Sequence, residues 1–296
     1  MICRSYGQVD HQRTELIRGP LVAGAKKNKK KKPDRQAFLA NKHDLYQRAV
    51  QEPEADIEFM EEIFRSKFKR DPILLREDFC GTGFLSATWA QHNPTYRAIG
   101  YDLDSDTVNW GVEHNLTKLD SEQRSRVDLR IANVLDAPND PVDIVCAMNF
   151  SWWIFKQRRQ LIEYFSSVRE SLAGSGLFVL DIYGGKEAYE EMEEEHEKDG
   201  FDYIWDQDKV CGISDEILCH ISFHFPDGSK MKRAFTYDWR RYGMKESQDI
   251  LIDAGFSSVE VYWEGTDEDG EGDGEFTLEH QAENTDAWIA YLVAIP

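Results

Sequence analysis

The sequence predicts an α/β protein: a seven-stranded, mostly parallel sheet with helices on both faces, plus a small antiparallel β insertion over one end. Three observations carry this. Short apolar runs alternate with stretches of helical period along most of the 296 residues. A glycine turn, Gly81-Thr82-Gly83, joins the first run to the first helix of that alternation. One stretch, about 186–240, breaks the alternation with closely spaced strand patterns.

Along the chain, residues 34–69 read as helix, with Leu45, Val50, Ile57, Met60, Ile63 and Phe64 at helical spacing and Pro53 and Pro72 as punctuation. Residues 73–75 form a short strand, followed by a helix over 84–91, a second strand at 97–102, a helix over 107–119 and a third strand at 127–132. Residues 142–148 are continuously apolar, the signature of a strand covered on both faces. Leu161, Phe165, Val168 and Leu172 then fall at i, i+4, i+7 and i+11 of a helix that Gly174 is expected to end. A fifth strand follows at 176–182, a helix at 245–254 closed by Gly255, and final strands at 258–263 and 287–294. Within the insertion, residues 186–198 read as an acidic helix and 201–210, 216–225 and 230–237 as strands, with a turn at Pro226-Asp227-Gly228.

Composition sets the outer bounds. A hydrophobic content of 41% with 12% aromatics is enough for a large core, and no apolar run approaches the length of a membrane span. Five dispersed cysteines without CxxC spacing suit reduced thiols in an intracellular protein, and no signal peptide is legible. A cytoplasmic location is expected. Residues 1–33 are expected to be a disordered basic tail, because they carry the run Lys26-Lys27-Asn28-Lys29-Lys30-Lys31-Lys32 without an apolar period. That run reads as a solvated tail or as a nuclear address. Residues 1–40 hold ten Lys+Arg against three Asp+Glu, so a total of −20 leaves −27 on the remainder. A body so acidic repels phosphate backbones, and a nucleic-acid partner is not expected.

Ligands of open α/β sheets sit beyond the carboxyl ends of the strands, where strand order reverses, and the glycine turn lies there. Glu77 places a carboxylate just upstream, near where a cationic ammonium group would rest. Asp102 ends the second strand nineteen residues after Gly83, the placement that suits ribose hydroxyls. A nicotinamide or flavin site needs G-x-G-x-x-G, whereas here Cys80 precedes Gly81 and Ser86 lies three beyond Gly83. No glycine cradle for a pyrophosphate is present.

On these residues the chain resembles the class I S-adenosylmethionine-dependent methyltransferases, over about residues 34–296. Glu77 takes the acidic place of their first motif and Cys80-Gly81-Thr82-Gly83 its turn. Asp102 matches the acid ending their second strand, with Leu103 after it. Asn133-Val134 stands where their third motif often has Asp beside the adenine. The resemblance implies a Rossmann-like fold whose seventh strand runs antiparallel beside the sixth, with S-adenosyl-L-methionine as cofactor. It also implies that Tyr46 closes the cofactor site. Phe79 and Asn133 depart from the pattern, the first standing in a glycine's place. The string Leu75-Arg76-Glu77-Asp78-Phe79-Cys80-Gly81-Thr82-Gly83, with Tyr101-Asp102-Leu103-Asp104, looks like a less characterised subgroup.

The fourth strand ends in Asn149-Phe150-Ser151-Trp152-Trp153, which should lie beside the donor methyl. Aromatic faces suit a sulfonium or an amine. Packing against the cap suits Trp152 and Trp153 equally. Tyr183 ends the fifth strand ahead of Gly184 and Gly185. Tyr183, Tyr237, Asp238 and His220 are the pool for a base, if one is needed. Lone histidines read as structural, and no zinc pattern is present. The acidic stretch 267–275 reads as a solvated hairpin, because the twelfth position of a calcium loop would fall on Leu278. The expected function is methyl transfer to a small molecule or peptide side chain, neutral or cationic. The alternatives are a non-catalytic binding module with this fold and a nucleic-acid methyltransferase guided by the lysine tail.

Overall fold

The computed structural model describes residues 35–138, 141–267 and 272–296. The basic tail and part of the acidic stretch 267–275 lie outside them. The helical pattern at 34–69 forms three helices, α1 (Gln36–Leu39), α2 (Lys42–Val50) and α3 (Pro53–Phe68). The break before α2 is made by Asn41, whose side chain accepts from the amides of His43 and Asp44; Pro53 starts α3 where a missing N–H costs nothing.

The body then alternates as β1 (Leu74–Asp78), α4 (Phe84–His92), β2 (Arg97–Asp102), α5 (Ser105–His114), α6 (Ser121–Arg124), β3 (Val127–Ile131), β4 (Val142–Ala147), α7 (Arg158–Ser171) and β5 (Leu172–Gly184). Helix α7 stops at Ser171, ahead of Gly174. After the cap come α8 (Met244–Asp253) and three further strands, β10 (Ser258–Thr266), β11 (Gly272–Leu278) and β12 (Trp288–Ile295). The main sheet has eight strands in the order β11-β10-β12-β5-β4-β1-β2-β3. Strands β1 to β5 are mutually parallel, and β12 runs antiparallel between β5 and β10. The eighth strand is β11, an edge strand paired with β10 from Tyr262↔Leu278 to Thr266↔Gly272. Its Gly- and acid-rich sequence resembles a turn, so periodicity does not reveal it.

The apolar runs are where the core is. All of β4 is buried, and α7 lays fully buried Leu161, Tyr164, Phe165 and Val168 on the sheet. Among the described residues no helix is long and apolar enough to cross a membrane.

The cap is a four-stranded antiparallel meander, β6 (Met192–Lys198), β7 (Phe201–Val210), β8 (Glu216–His224) and β9 (Lys230–Arg240). The acidic helix expected at 186–198 is therefore a short 3-10 turn (Glu187–Tyr189) followed by strand β6. Glutamate-rich sequence favours helix by local propensity, but here seven residue pairs, from Met192↔Gln207 to Lys198↔Phe201, hold it extended against β7. Helix α1 ties the cap to the N-terminal helices: Gln36 N donates to Asp227 at 2.9 Å and Ala37 N to Ser229 at 3.0 Å.

Candidate active site

Strand order reverses at β1, which lies between β2 and β4, so a crevice opens beyond their carboxyl ends. Phe79 (φ 59°), Gly81 (φ 53°) and Gly83 (φ 62°) turn the chain there through the left-handed region. For a phenylalanine that conformation costs about 1–2 kcal/mol. The half-buried ring packs edge-on against Phe155 and Tyr164, at 6.1 and 5.7 Å, which offsets the strain. The turn a glycine was expected to make is thus made by Phe79 itself. At Gly83 a Cβ would meet the Leu129 side chain at 2.6 Å, so that glycine serves close packing as well as φ.

Buried polar groups brace this loop from behind. Asp102 accepts from Gly81 N at 2.9 Å with one oxygen and from Asp104 N at 2.8 Å with the other. Glu77 accepts from Ser86 N at 2.9 Å and Ser86 Oγ at 2.5 Å, fixing the first turn of α4. Burial pushes the Glu77 carboxyl up to about 7, against the pull of the Ser86 donors. Beneath the loop, Arg76 makes a two-pronged pair with Asp78 at 2.7 and 3.0 Å, and its other N–H groups donate to Ser171 and the Val134 carbonyl. Tyr164 donates to the same Asp78 at 2.9 Å. Thr82 is gripped from two helices: Gln47 of α2 donates to its hydroxyl at 2.6 Å, and Asn115 donates to its carbonyl at 3.1 Å. Gly111 of α5 packs so close that a Cβ would lie 2.0 Å from that carbonyl oxygen.

The exit of β4 is strained in the same sense, with Asn149 at φ 57° and Phe150 at φ 58°. Asp181 of β5 holds both residues, accepting from Asn149 N at 2.6 Å and Phe150 N at 2.8 Å. Its carboxyl is raised to about 7 by burial, which outweighs the two amide donors. The Asp181 carbonyl accepts from Trp152 Nε1 at 2.8 Å. Asp181 thereby sets the floor where the two loops meet.

Two cavities adjoin here. The smaller, about 30 Å³, lies against the β1 loop and is lined by Phe79, Cys80, Gly81 and Thr82, with His43 and Thr107 among its other walls. The larger, about 390 Å³, is a chamber between the sheet's carboxyl edge and the cap. Tyr46 and Asn149 line both. Tyr46 is buried, and burial holds its pKa well above the tyrosine range. His43 is pushed down to about 4, chiefly by burial, and is neutral at pH 7.

No family model matches the chain, and no curated protein matches it by sequence. Its architecture is nonetheless shared with solved structures. An S-adenosylmethionine-dependent methyltransferase from Clostridium acetobutylicum superposes with a TM-score of 0.62 at 17% identity, covering 86% of this chain and 97% of that one. The CcbJ methyltransferase from Streptomyces caelestis gives 0.58 at 14% identity, over 82% and 96%. The sugar N-methyltransferase KedS8 from Streptoalloteichus gives 0.56 at 16% identity, over 94% and 99%. The fold is that of the S-adenosylmethionine-dependent methyltransferases.

Within that fold, the residues singled out in the sequence separate into layers. Phe79, Cys80, Gly81 and Asn149 face the small cavity, and Phe150, Tyr183 and Tyr237 face the chamber. Glu77, Gly83 and Asp102 stand behind the loop rather than on either cavity surface. Leu103 lies 47% exposed just past β2, and Ile131 and Leu135 form an exposed apolar edge at the end of β3. Asn133 turns its side-chain oxygen to Leu135 N at 3.1 Å, and Val134 is buried. Trp152 and Trp153 are fully buried and pack behind the chamber wall, Trp153 against Tyr183 at 4.8 Å and Trp152 against Tyr242 at 5.6 Å. Asp238 pairs with Lys156 at 2.5 Å on the surface, and buried His220 contacts Thr236 and Asp208; neither lines the chamber. Gln47, Gly111, Asn115 and Asp181 escaped sequence reasoning, since each acts through a partner distant in the chain.

Proposed function

We propose that this protein is an S-adenosylmethionine-dependent methyltransferase whose acceptor is a small molecule seated in the cap chamber. The observation that carries the reading is the meeting of the two cavities at Tyr46 and Asn149, with the glycine loop on one side and the cap chamber on the other. The residues present suit this donor. Among the described residues the small cavity has no Lys or Arg in its lining and its histidine is neutral, so no side chain there offers a cation to the phosphates of a dinucleotide. The backbone of Phe79 to Thr82 would hold the amino-acid end. The exposed apolar edge of Leu103, Ile131 and Leu135 beside Asp102 would take the adenosine end.

The donor supplies a methyl carbon already activated by sulfonium, so catalysis is mainly positioning. Asp181 fixes Asn149 and Phe150 at the junction, and Tyr46 is a wall of both sides. Two fold neighbours described as a sugar N-methyltransferase and an amino pentose methyltransferase fit a small acceptor better than a macromolecule. Titration calorimetry with S-adenosylmethionine and S-adenosylhomocysteine tests the reading. Both should bind, and Gly81→Val should abolish binding while the far-ultraviolet circular dichroism is unchanged. No affinity of the parent protein for either compound overturns it.

A further inference from the structure

The chamber's lining has a chemistry of its own. Eight aromatic side chains line it: Tyr46 and Trp288 at its margins, and Phe150, Tyr183, Tyr203, Trp205, Tyr237 and Trp239. Five of them form a connected wall, with Tyr237 stacked on Trp239 at 4.4 Å, Trp205 at 6.4 Å and Phe150 at 6.5 Å from Trp239, and Phe150 edge-on to Tyr183 at 4.7 Å. The other charged or titratable lining groups are Glu187, Glu194, Glu264 and His196; among the described residues neither lysine nor arginine lines it. Strand β6 contributes by alternation, Met192, Glu194 and His196 facing inward while Glu193 and Glu195 face solvent.

Resting on the methyl-transfer reading above, we infer that the acceptor is an organic amine, held by the aromatic wall and the three carboxylates of the chamber. Aromatic faces and carboxylates both attract a cation. A phosphate- or carboxylate-bearing acceptor would meet three carboxylates and no counter-charge. An alcohol would need a base where the cavities meet. The two residues common to both are Tyr46, whose hydroxyl stays protonated, and Asn149, which has no basic group. An amine held as its ammonium ion first gives one proton to a chamber carboxylate or to water, which frees the lone pair of the neutral amine without a base at the junction. The nitrogen forms its bond to the methyl carbon as the sulfur–carbon bond breaks. Sulfur leaves as a neutral thioether, the positive charge moves to nitrogen, and an acceptor that carried N–H then loses that proton to water. The charge thus develops beside the aromatic wall, where it is stabilised in the transition state and product.

Three probes of one shape test this: (2-hydroxyethyl)trimethylammonium, its uncharged carbon isostere 3,3-dimethylbutan-1-ol, and the anion 3,3-dimethylbutanoate. Each is titrated into the full-length protein saturated with S-adenosylhomocysteine, followed by tryptophan emission and calorimetry. The cation is expected to bind about tenfold tighter than the neutral isostere, and the anion not at all. Glu194→Gln and Trp205→Leu, both at half-buried positions, should each reduce that preference several-fold while leaving S-adenosylhomocysteine binding unchanged. Equal binding of cation and isostere, preference for the anion, or no binding of the cation overturns the amine assignment while the methyl-transfer reading stands. Cation preference in a protein with no affinity for S-adenosylmethionine overturns methyl transfer, and the acceptor assignment with it.

Discussion

Glu77 and Asp181 are buried carboxyl groups that organise the two loops of the crevice, and burial raises both from their ordinary range to about 7. In the unfolded chain they ionise near pH 4; in the folded protein they stay protonated up to about 7. The stability they confer is therefore present below about pH 4 and declines as pH rises, until the loss is complete above about 7. Glu77→Gln, which keeps the shape without the charge, should flatten this decline and stabilise the protein at pH 8 by about 2 kcal/mol. Melting temperature against pH for parent and variant checks it. Arg76 and Asp78 behave differently, because their charges are paired. Arg76→Met leaves a buried carboxylate without its partner and should cost about 3–5 kcal/mol, whereas Arg76→Met with Asp78→Leu should recover most of that in urea denaturation. The loop after β1 was legible as a turn because Gly81 and Gly83 follow the first strand, though Phe79 shares the left-handed backbone with them. The groups that grip it were not, since Gln47, Asn115 and Asp181 look unremarkable until folding places them against Thr82, Asn149 and Phe150.

Among elements, the alternating α/β units were legible from periodicity alone, including the buried run of β4 and the stripe of α7. The cap was legible only in part. Strands β7 to β9 announce themselves by apolar alternation, but β6 is written in glutamate and lysine and is extended only because β7 pairs with it. Helix α2 is the element with most to do for its length. Its Gln47 holds Thr82 of the donor loop, its Tyr46 meets Phe235 of the cap at 5.1 Å, and its Arg48 donates to the Asp199 carbonyl at 2.5 Å. Gln47→Ala removes the link to the loop and leaves Thr82 Oγ1 without that donor. Hydrogen exchange across 42–50 should speed up in this variant, and donor affinity should fall several-fold, while exchange in β4 and β5 stays unchanged.

Over the whole molecule, the net charge of −20 and the acidic chamber have the same sign. A cationic acceptor is drawn toward such a surface from beyond contact distance, and salt screens that attraction over about 10 Å at 0.1 M. With an amine acceptor, kcat/KM should fall as salt rises while kcat changes little, and initial rates over a salt series measure the two separately. A neutral acceptor would show neither trend.

On the proposed methyl-transfer reading, the position of Tyr46 bears on the order in which ligands bind. It is a wall of both cavities, and His43 and Tyr46 of the same helix face the small space against the β1 loop. A donor whose amino-acid end seats there passes beneath α2. An acceptor already seated against Tyr46 would pin the helix and bar the way. Binding is therefore expected to follow a compulsory order, donor before acceptor, with the methylated product leaving before S-adenosylhomocysteine. Initial-rate kinetics read this directly: S-adenosylhomocysteine should inhibit competitively against the donor and non-competitively against the acceptor, whereas a random order would let the acceptor bind with equal affinity to the protein alone.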